Sequence, residues 1–380
     1  MTFEEILETE KKQYPEDKRP VVGWLCSYTP EEIIEAAGFR PYRILPRSNL
    51  SPSIDSYITG NLCSRVKNCL GYALSGRYDF MRGIVTTFSC NALTHMYNIW
   101  KEYIGDIFVY NIEIPAHRDK EACAYLQNEL AKMFAALADR AGVRPDYRAL
   151  YDAVLARLET MQLLNRMQAL RIRDNPPLTG LEAIKITEMA STVPRSIFNT
   201  ALRRYLATME QKTEPDRSNT RPRILITGGF IPRFLVAMVE EYGGLVVAED
   251  GCNGYRHFAG IPQEEAGGSE DAENCTAEKQ LLQLLANRHL KRPPCARMHG
   301  ATVQRSQEIS RLAGQYKAAG IIHYSLKFCD CNIYEFPVLK DKAAELGVPF
   351  LHLEGEEHNT GTGQLETRLQ AFLEIVSNFP

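Results

Sequence analysis

The chain has no uninterrupted apolar run of the ~18 residues that a membrane-spanning helix needs, and its mean hydropathy is -0.28. It also has no surplus of positive charge. Lys and Arg number 44 against 47 Asp and Glu, a formal net charge of -3, which excludes the polybasic footprint of a nucleic-acid binder. The first residues, MTFEEILETEKKQYPEDKRP, alternate charges and lack the apolar centre of a signal peptide. They read as a short amphipathic surface helix, and a cytoplasmic location is expected, with neither membrane nor nucleic acid as partner. No C-x2-C pair occurs, so zinc ribbons and ferredoxin-type cluster runs are absent as local motifs. No P-loop and no G-x-G-x-x-G is present either. TGGF at 227–230 follows an apolar run but has no Lys, so its glycines are read as a tight strand-to-helix turn. ATP binding is not expected. No solenoid-length repeat and no low-complexity tract appears.

What is there is one local pattern, used four times in 380 residues. An apolar strand leads into a turn, a helix and a second strand. In RPVVGWLCSYTPEEIIEAAGFRPYRIL the first strand ends near Cys26. Thr29 and Glu32 have the spacing of a capping box, Pro30 suits the first helical position, and Gly38 ends the helix. The second unit has a strand over 83–88, Cys90 in the turn, a helix to Tyr103 and a strand over 107–114. The third carries Gly228 and Gly229 in its turn and Cys252 after its second strand. The fourth has a strand over 321–326, then Cys329, a helix to Leu346, and VPFLHLE. Continuous apolar strands alternating with helices predict α/β architecture with parallel sheets covered on both faces. The pattern divides into a first α/β lobe with the N-terminal helix (1–118), a helical segment (119–212) broken by DNPP, a polar linker (213–221) and a second α/β lobe (222–380).

Ten cysteines in such a chain are expected to be reduced thiols or metal ligands rather than disulfides. Cys26, Cys90, Cys252 and Cys329 all fall at the carboxyl ends of expected strands, where open parallel sheets bind ligands. Cys63 falls where a helix begins. This placement points to a site reached by soft ligands from both lobes. A metal or cluster site, small buried cysteines and a catalytic thiol all remain open on spacing alone. Three thiolates on a four-iron cluster would leave one iron free, whereas a structural zinc takes four closed ligands. Cys69 lies six residues after Cys63, about 120° round a helix from it, and is not expected to join it as a ligand. Cys123 is read as core, and Cys275 as exposed in an acidic loop. Cys252 and Cys295 sit at turns that face between the lobes and are possible extra ligands. No catalytic side chain is singled out.

Five stretches carry a family resemblance: YTPEEIIEAAGFRPYRI, LCSRVKNCLGYALSGRYDFMRGIVTTFSCNAL, AEDGCNGYRHF, GIIHYSLKFCDCNIYEFPVLKDKAAELGVPFLHLEGE and GQLETRLQAFLEI. Together and in order, they resemble the 2-hydroxyacyl-CoA dehydratase and benzoyl-CoA reductase superfamily over nearly the whole chain. The smaller, beta-type subunit of the heterodimeric enzymes is the nearest match. The resemblance implies two Rossmann-like, doubly wound lobes with inserted helices and a [4Fe–4S] cluster between them. Its three cysteine ligands map onto Cys63, Cys90 and Cys329. It implies a lyase that adds one electron to an acyl-CoA thioester, giving a ketyl radical that loses water. The electron comes from a separate ATP-dependent iron–sulfur activator, and a related second subunit or a second copy completes the dimer. Rival readings are an aryl-CoA ring reductase, an electron relay with no substrate of its own, and a zinc or thiol protein without the cluster. A double-cubane redox protein is a further one, but that branch usually carries a cysteine in a C-P-[YF] context where this chain has SGRYDF. Two departures stand out: Asn91 where the family often has Asp, and Cys331 where it usually has Pro. A tight turn does not aim two side chains one residue apart at one iron, so Cys329 is the expected ligand and Cys331 is not. Arg40, Arg43 and Arg47 suit either CoA phosphates or a solvated basic face.

Overall fold

The computed structural model describes residues 1–48, 52–212, 220–259, 277–358 and 363–378. Eight strands form two parallel sheets. Strands β1 (Val21–Trp24), β2 (Arg40–Arg43), β3 (Met81–Phe88) and β4 (Phe108–Glu113) make the first, in the order β2-β1-β3-β4. Strands β5 (Arg223–Gly228), β6 (Leu245–Asp250), β7 (Gly320–Leu326) and β8 (Phe350–Gly355) make the second, in the order β6-β5-β7-β8. Every pairing is parallel. The strand order is therefore the same in both sheets, and in each it reverses between the first and third strands. That reversal opens a crevice at the strands' carboxyl ends.

The first sheet is accompanied by α1 (Phe3–Gln13), α2 (Glu31–Ala36), α3 (Ser64–Leu74) and α4 (Asn91–Tyr103). The helical segment contains α5 (Lys120–Ala141), α6 (Tyr147–Leu170), α7 (Gly180–Met189) and α8 (Arg195–Glu210). The second sheet carries α9 (Arg233–Glu241), α10 (Tyr255–Phe258), α11 (Ala277–Lys291), α12 (Ala301–Gln315), α13 (Asp330–Glu345) and α14 (Gly363–Asn378). Strands β1, β5, β6 and β7 are buried along most of their length. That is why they read as unbroken apolar runs rather than alternating ones. The N-terminal helix has a true capping box, Thr2 with Glu5. Its inner face, Phe3, Ile6 and Leu7, is buried, and Phe3 meets Phe198 and Tyr205 of α8 edge-on. Its outer face is the exposed one.

The structure departs from the sequence expectation at the start of α2 and in helices that the pattern did not mark. The capping box at Thr29 and Glu32 does not form: Pro30 is the N-cap of α2 and makes no side-chain cap bond. Glu32 is fully buried instead, paired with Arg157 of α6 and Arg288 of α11. A capping bond contributes only ~1 kcal/mol, whereas a buried carboxylate left without its cations costs several times that, so the long-range pairs win. The break after DNPP is followed by a helix that the pattern did not mark, α7, capped by Thr179 and Glu182. Helix α11 lies against α5, with Leu282, Leu285 and Leu290 in the same core as Val22 and Trp24 of β1. The linker expected over 213–221 falls almost wholly outside the described residues.

Candidate functional site

Cys63, Cys90 and Cys329 are brought to one kind of position. Each is the N-cap of a helix: Cys63 of α3, Cys90 of α4 and Cys329 of α13. Cys90 and Cys329 follow the third strand of their respective sheets, beside the crevice. No thiol makes a regular capping bond, since sulfur is a weak acceptor while protonated. Yet the backbone N–H three residues on, at Val66, Leu93 and Asn332, lies close enough in each case to favour the thiolate. A helix N-terminus with free N–H groups attracts negative charge. One arrangement is thus repeated three times, on three helices drawn from both sheets.

Burial works the other way. It pushes the Cys63 thiol up to about 12, with the neighbouring Cys329 adding to the rise. It raises Cys90 well above its ordinary value, helped by Cys63, Cys26 and Cys329. Cys329 is raised as well, by burial and then by Cys295 and Cys252, against the opposing hydrogen bonds from Asn332. Thiols this close hold on to their protons unless a cation takes the protons' place. The donors are soft and the local dipoles favour anionic sulfur, with Cys63 buried and Cys90 and Cys329 half-buried. That combination fits an iron–sulfur cluster, whose thiolates each bind a separate iron. Among the described residues no three His, Cys, Asp or Glu side chains form a group that could hold a single metal ion.

The two sheets are clamped together beside these thiols. Arg65 of α3 pairs with the buried Glu357 after β8 and donates to the Ile44 carbonyl. Glu357 also accepts from Asn68 at 3.0 Å, and its N–H donates to Ser64 Oγ at 2.8 Å. The Arg65 guanidinium lies 4.3 Å over the Phe230 ring. Arg43 is buried, not solvated: its guanidinium lies 4.9 Å from the Trp24 ring and donates to the Cys252 carbonyl at 2.8 Å. Burial lowers Arg43 to about 10, whereas for Arg65 the same effect is outweighed by Glu357 and the charge is held firmly. Burial raises the Cys252 thiol, and both cations oppose that rise without cancelling it.

The other cysteines fall into place around this. Cys26 lies two residues after β1, and its Sγ accepts from the Tyr28 N–H at 3.5 Å. Cys69 is fully buried inside α3 and pushed to about 12 by burial. Cys123 is half-buried on α5 and donates to Asn287 Oδ1 at 3.2 Å. The Cys295 N–H donates to the Tyr28 hydroxyl at 3.2 Å, which brings this loop beside the β1 turn. Cys331 is half-buried and raised to about 12, by burial and then by Cys295 and Cys329. The nine described cysteines are all unpaired, and Cys275 lies outside the described residues. Sequence reasoning missed Asn332, whose Nδ2 donates to Cys329 Sγ at 3.0 Å. It also missed Glu357, for which no local pattern gives a signal.

The family model described as "2-hydroxyglutaryl-CoA dehydratase, D-component" matches residues 26–376. The chain belongs to this family. Relatives span almost its whole length at low identity. The (R)-phenyllactyl-CoA dehydratase beta subunit of Clostridium sporogenes is 24% identical, covering 98% of this chain and 97% of its own. The beta subunit of (R)-2-hydroxyglutaryl-CoA dehydratase from Acidaminococcus fermentans is 25% identical, covering 95% and 94%. A benzoyl-CoA reductase subunit of Thauera aromatica is 23% identical, covering 96% and 92%. The family match begins at Cys26 and takes in every cysteine of the site. Among the described residues no helix is long and apolar enough to cross a membrane.

Proposed function

We propose that this chain is the iron–sulfur subunit of a 2-hydroxyacyl-CoA dehydratase-type lyase, with a [4Fe–4S] cluster on Cys63, Cys90 and Cys329. The observation that carries the reading is the threefold repeat of a cysteine N-cap on α3, α4 and α13, drawn from both sheets. Bound there, the cluster would lend one electron to an acyl-CoA thioester so that the hydroxyl could leave as hydroxide, with a proton lost from the neighbouring carbon completing the water and the electron returned as the unsaturated thioester forms. The chain's own groups do the rest. Three thiolates would hold the iron, the helix N-termini would stabilise negative charge, and Arg43 and Arg65 would balance it from the lobe interface. The electron is assigned to a separate ATP-dependent activator, in keeping with the absence of a phosphate-binding loop motif here. A related second subunit is the expected partner, because the relatives are themselves named as subunits.

The similarity to a benzoyl-CoA reductase subunit supports a second reading, reduction of an aryl-CoA ring by the same electron route. The first test is composition. Protein purified without oxygen is expected to be brown, with about four iron and four sulfide per chain. Stoichiometric zinc without acid-labile sulfide would overturn the cluster. The second test pairs the chain with its partner subunit and activator and offers 2-hydroxyacyl-CoA and benzoyl-CoA side by side. Water loss from the former supports the dehydratase, and ring reduction alone supports the alternative. Without the partner, the chain is expected to show neither ATPase nor appreciable dehydratase activity.

A further inference from the structure

Two features of the second lobe meet at one point that the family match does not explain. The first is Asn332, on the first turn of α13. It is buried, its Nδ2 donates to Cys329 Sγ at 3.0 Å, and its Oδ1 has no hydrogen-bond partner among the described residues. The second is the TGGF turn after β5. Gly228 has φ +148°, and a Cβ there would collide with the Tyr324 carbonyl oxygen, so the strand pairing itself requires glycine. Gly229 is different. Its backbone imposes no such demand, but a Cβ would lie 2.5 Å from Asn332 Nδ2 and 3.3 Å from its Cγ. The space that this glycine leaves empty is the space the Asn332 amide fills.

A thiolate accepts hydrogen bonds and donates none, so a buried amide beside it turns its N–H2 to the sulfur. Hydrogen bonds to ligand sulfur take electron density from the iron and raise the potential of a cluster. We propose that Asn332, seated against Gly229, is a positioning residue that sets the reduction potential of the cluster through Cys329. The inference rests on the cluster reading above, and Gly229 belongs to the device because it admits the amide.

The redox step concerned is the reversible one-electron couple of the bound cluster. One electron passes from titanium(III) citrate, which is oxidised to titanium(IV), and no bond to Asn332 forms or breaks. The experiment uses the full chain purified anaerobically, with iron and sulfide counted and the potential read by EPR-monitored titration. Asn332→Leu keeps the branched shape and the number of heavy atoms and removes the donor. Its potential is expected to fall by an amount equal to a tenfold change in the one-electron equilibrium, about 59 mV. Gly229→Ala leaves Asn332 in place but pushes its amide off the sulfur, and is expected to shift the potential in the same direction. Tyr334→Ala, on the exposed face of the same helix, is expected to leave it unchanged. Wild-type protein without iron and sulfide would remove the reading on which this rests. Cluster-bearing Asn332→Leu and Gly229→Ala proteins with wild-type potentials would overturn the assignment and leave that reading intact.

Discussion

The two sheets share one strand order, but they close the ends that carry the thiols by different means. In the second sheet the closure is internal. Asp250 at the end of β6 accepts from Thr227 at 2.9 Å, from Arg256 at 3.0 and 2.9 Å, and from Arg305 at 2.7 Å. Arg305 reaches on to Glu335 of α13 at 2.6 Å. Four charged side chains, all buried, thus join β5, β6 and α13, the elements that hold Gly229, Cys252 and Cys329. In the first sheet the acids are local and the cations are borrowed. Glu31 and Glu32 of α2 pair with Arg157 of α6, Arg195 of α8 and Arg288 of α11. The second sheet is built to hold its own geometry, whereas the first takes its geometry from helices far away in sequence.

Mutations can test that contrast, and the largest effect is expected at the thiols. Cys63→Ser, Cys90→Ser and Cys329→Ser should each lose most of their iron, measured per chain after anaerobic purification. Retention of full iron in any of them would remove that residue from the ligand set. Next comes Arg305→Met, which leaves Asp250 and Glu335 buried with too little positive charge. Breaking a buried pair in this way costs about 3–5 kcal/mol, read from the denaturant midpoint.

Arg157→Met should cost less, about 2 kcal/mol. Glu31 keeps Arg195 and Glu32 keeps Arg288. Burial, with the charges of Arg195 and Arg292, also holds Arg157 well below its ordinary value, so removing it relieves repulsion. If the Arg157 variant proves the weaker of the two, the contrast between borrowed and internal closure is wrong.

Acid should weaken the second lobe as well. Burial would raise the Glu335 carboxyl, but the charge of Arg305 outweighs it and holds the group at about 2. Asp250 is held well below the usual carboxylate range in the same way, against burial, by Arg256 and Arg305. A depressed folded-state value means that the stabilisation is complete above the unfolded value, about 4.3 for a Glu. It is lost as pH falls through the folded value. Stability should therefore decline between about pH 4.5 and 2, and this decline should be shallower in Arg305→Met. The smallest effect is expected from Cys331→Ser, which should keep the iron and the visible spectrum of the wild type. Iron loss equal to that of Cys329→Ser would make Cys331 a ligand and imply a larger or differently held cluster.

The sequence by itself determined the inner strands β1, β5 and β7, because a strand covered on both faces must be apolar throughout and so leaves an unbroken run. It determined that Cys90 and Cys329 follow strands and that Cys63 opens a helix, since turn and helix signals are local. The even charge balance and the missing phosphate loop were legible for the same reason. The tertiary structure alone decided what Glu32 does: its capping partner is three residues away, but its cations lie at Arg157 and Arg288. It alone put Arg43 under Cys252, Glu357 on Arg65, and Asn332 into the gap beside Gly229. Each of these contacts joins positions far apart in the chain. Local propensity is worth about a kilocalorie, while a buried charge or an unmatched amide is worth several, so the fold settles such residues by their distant partners.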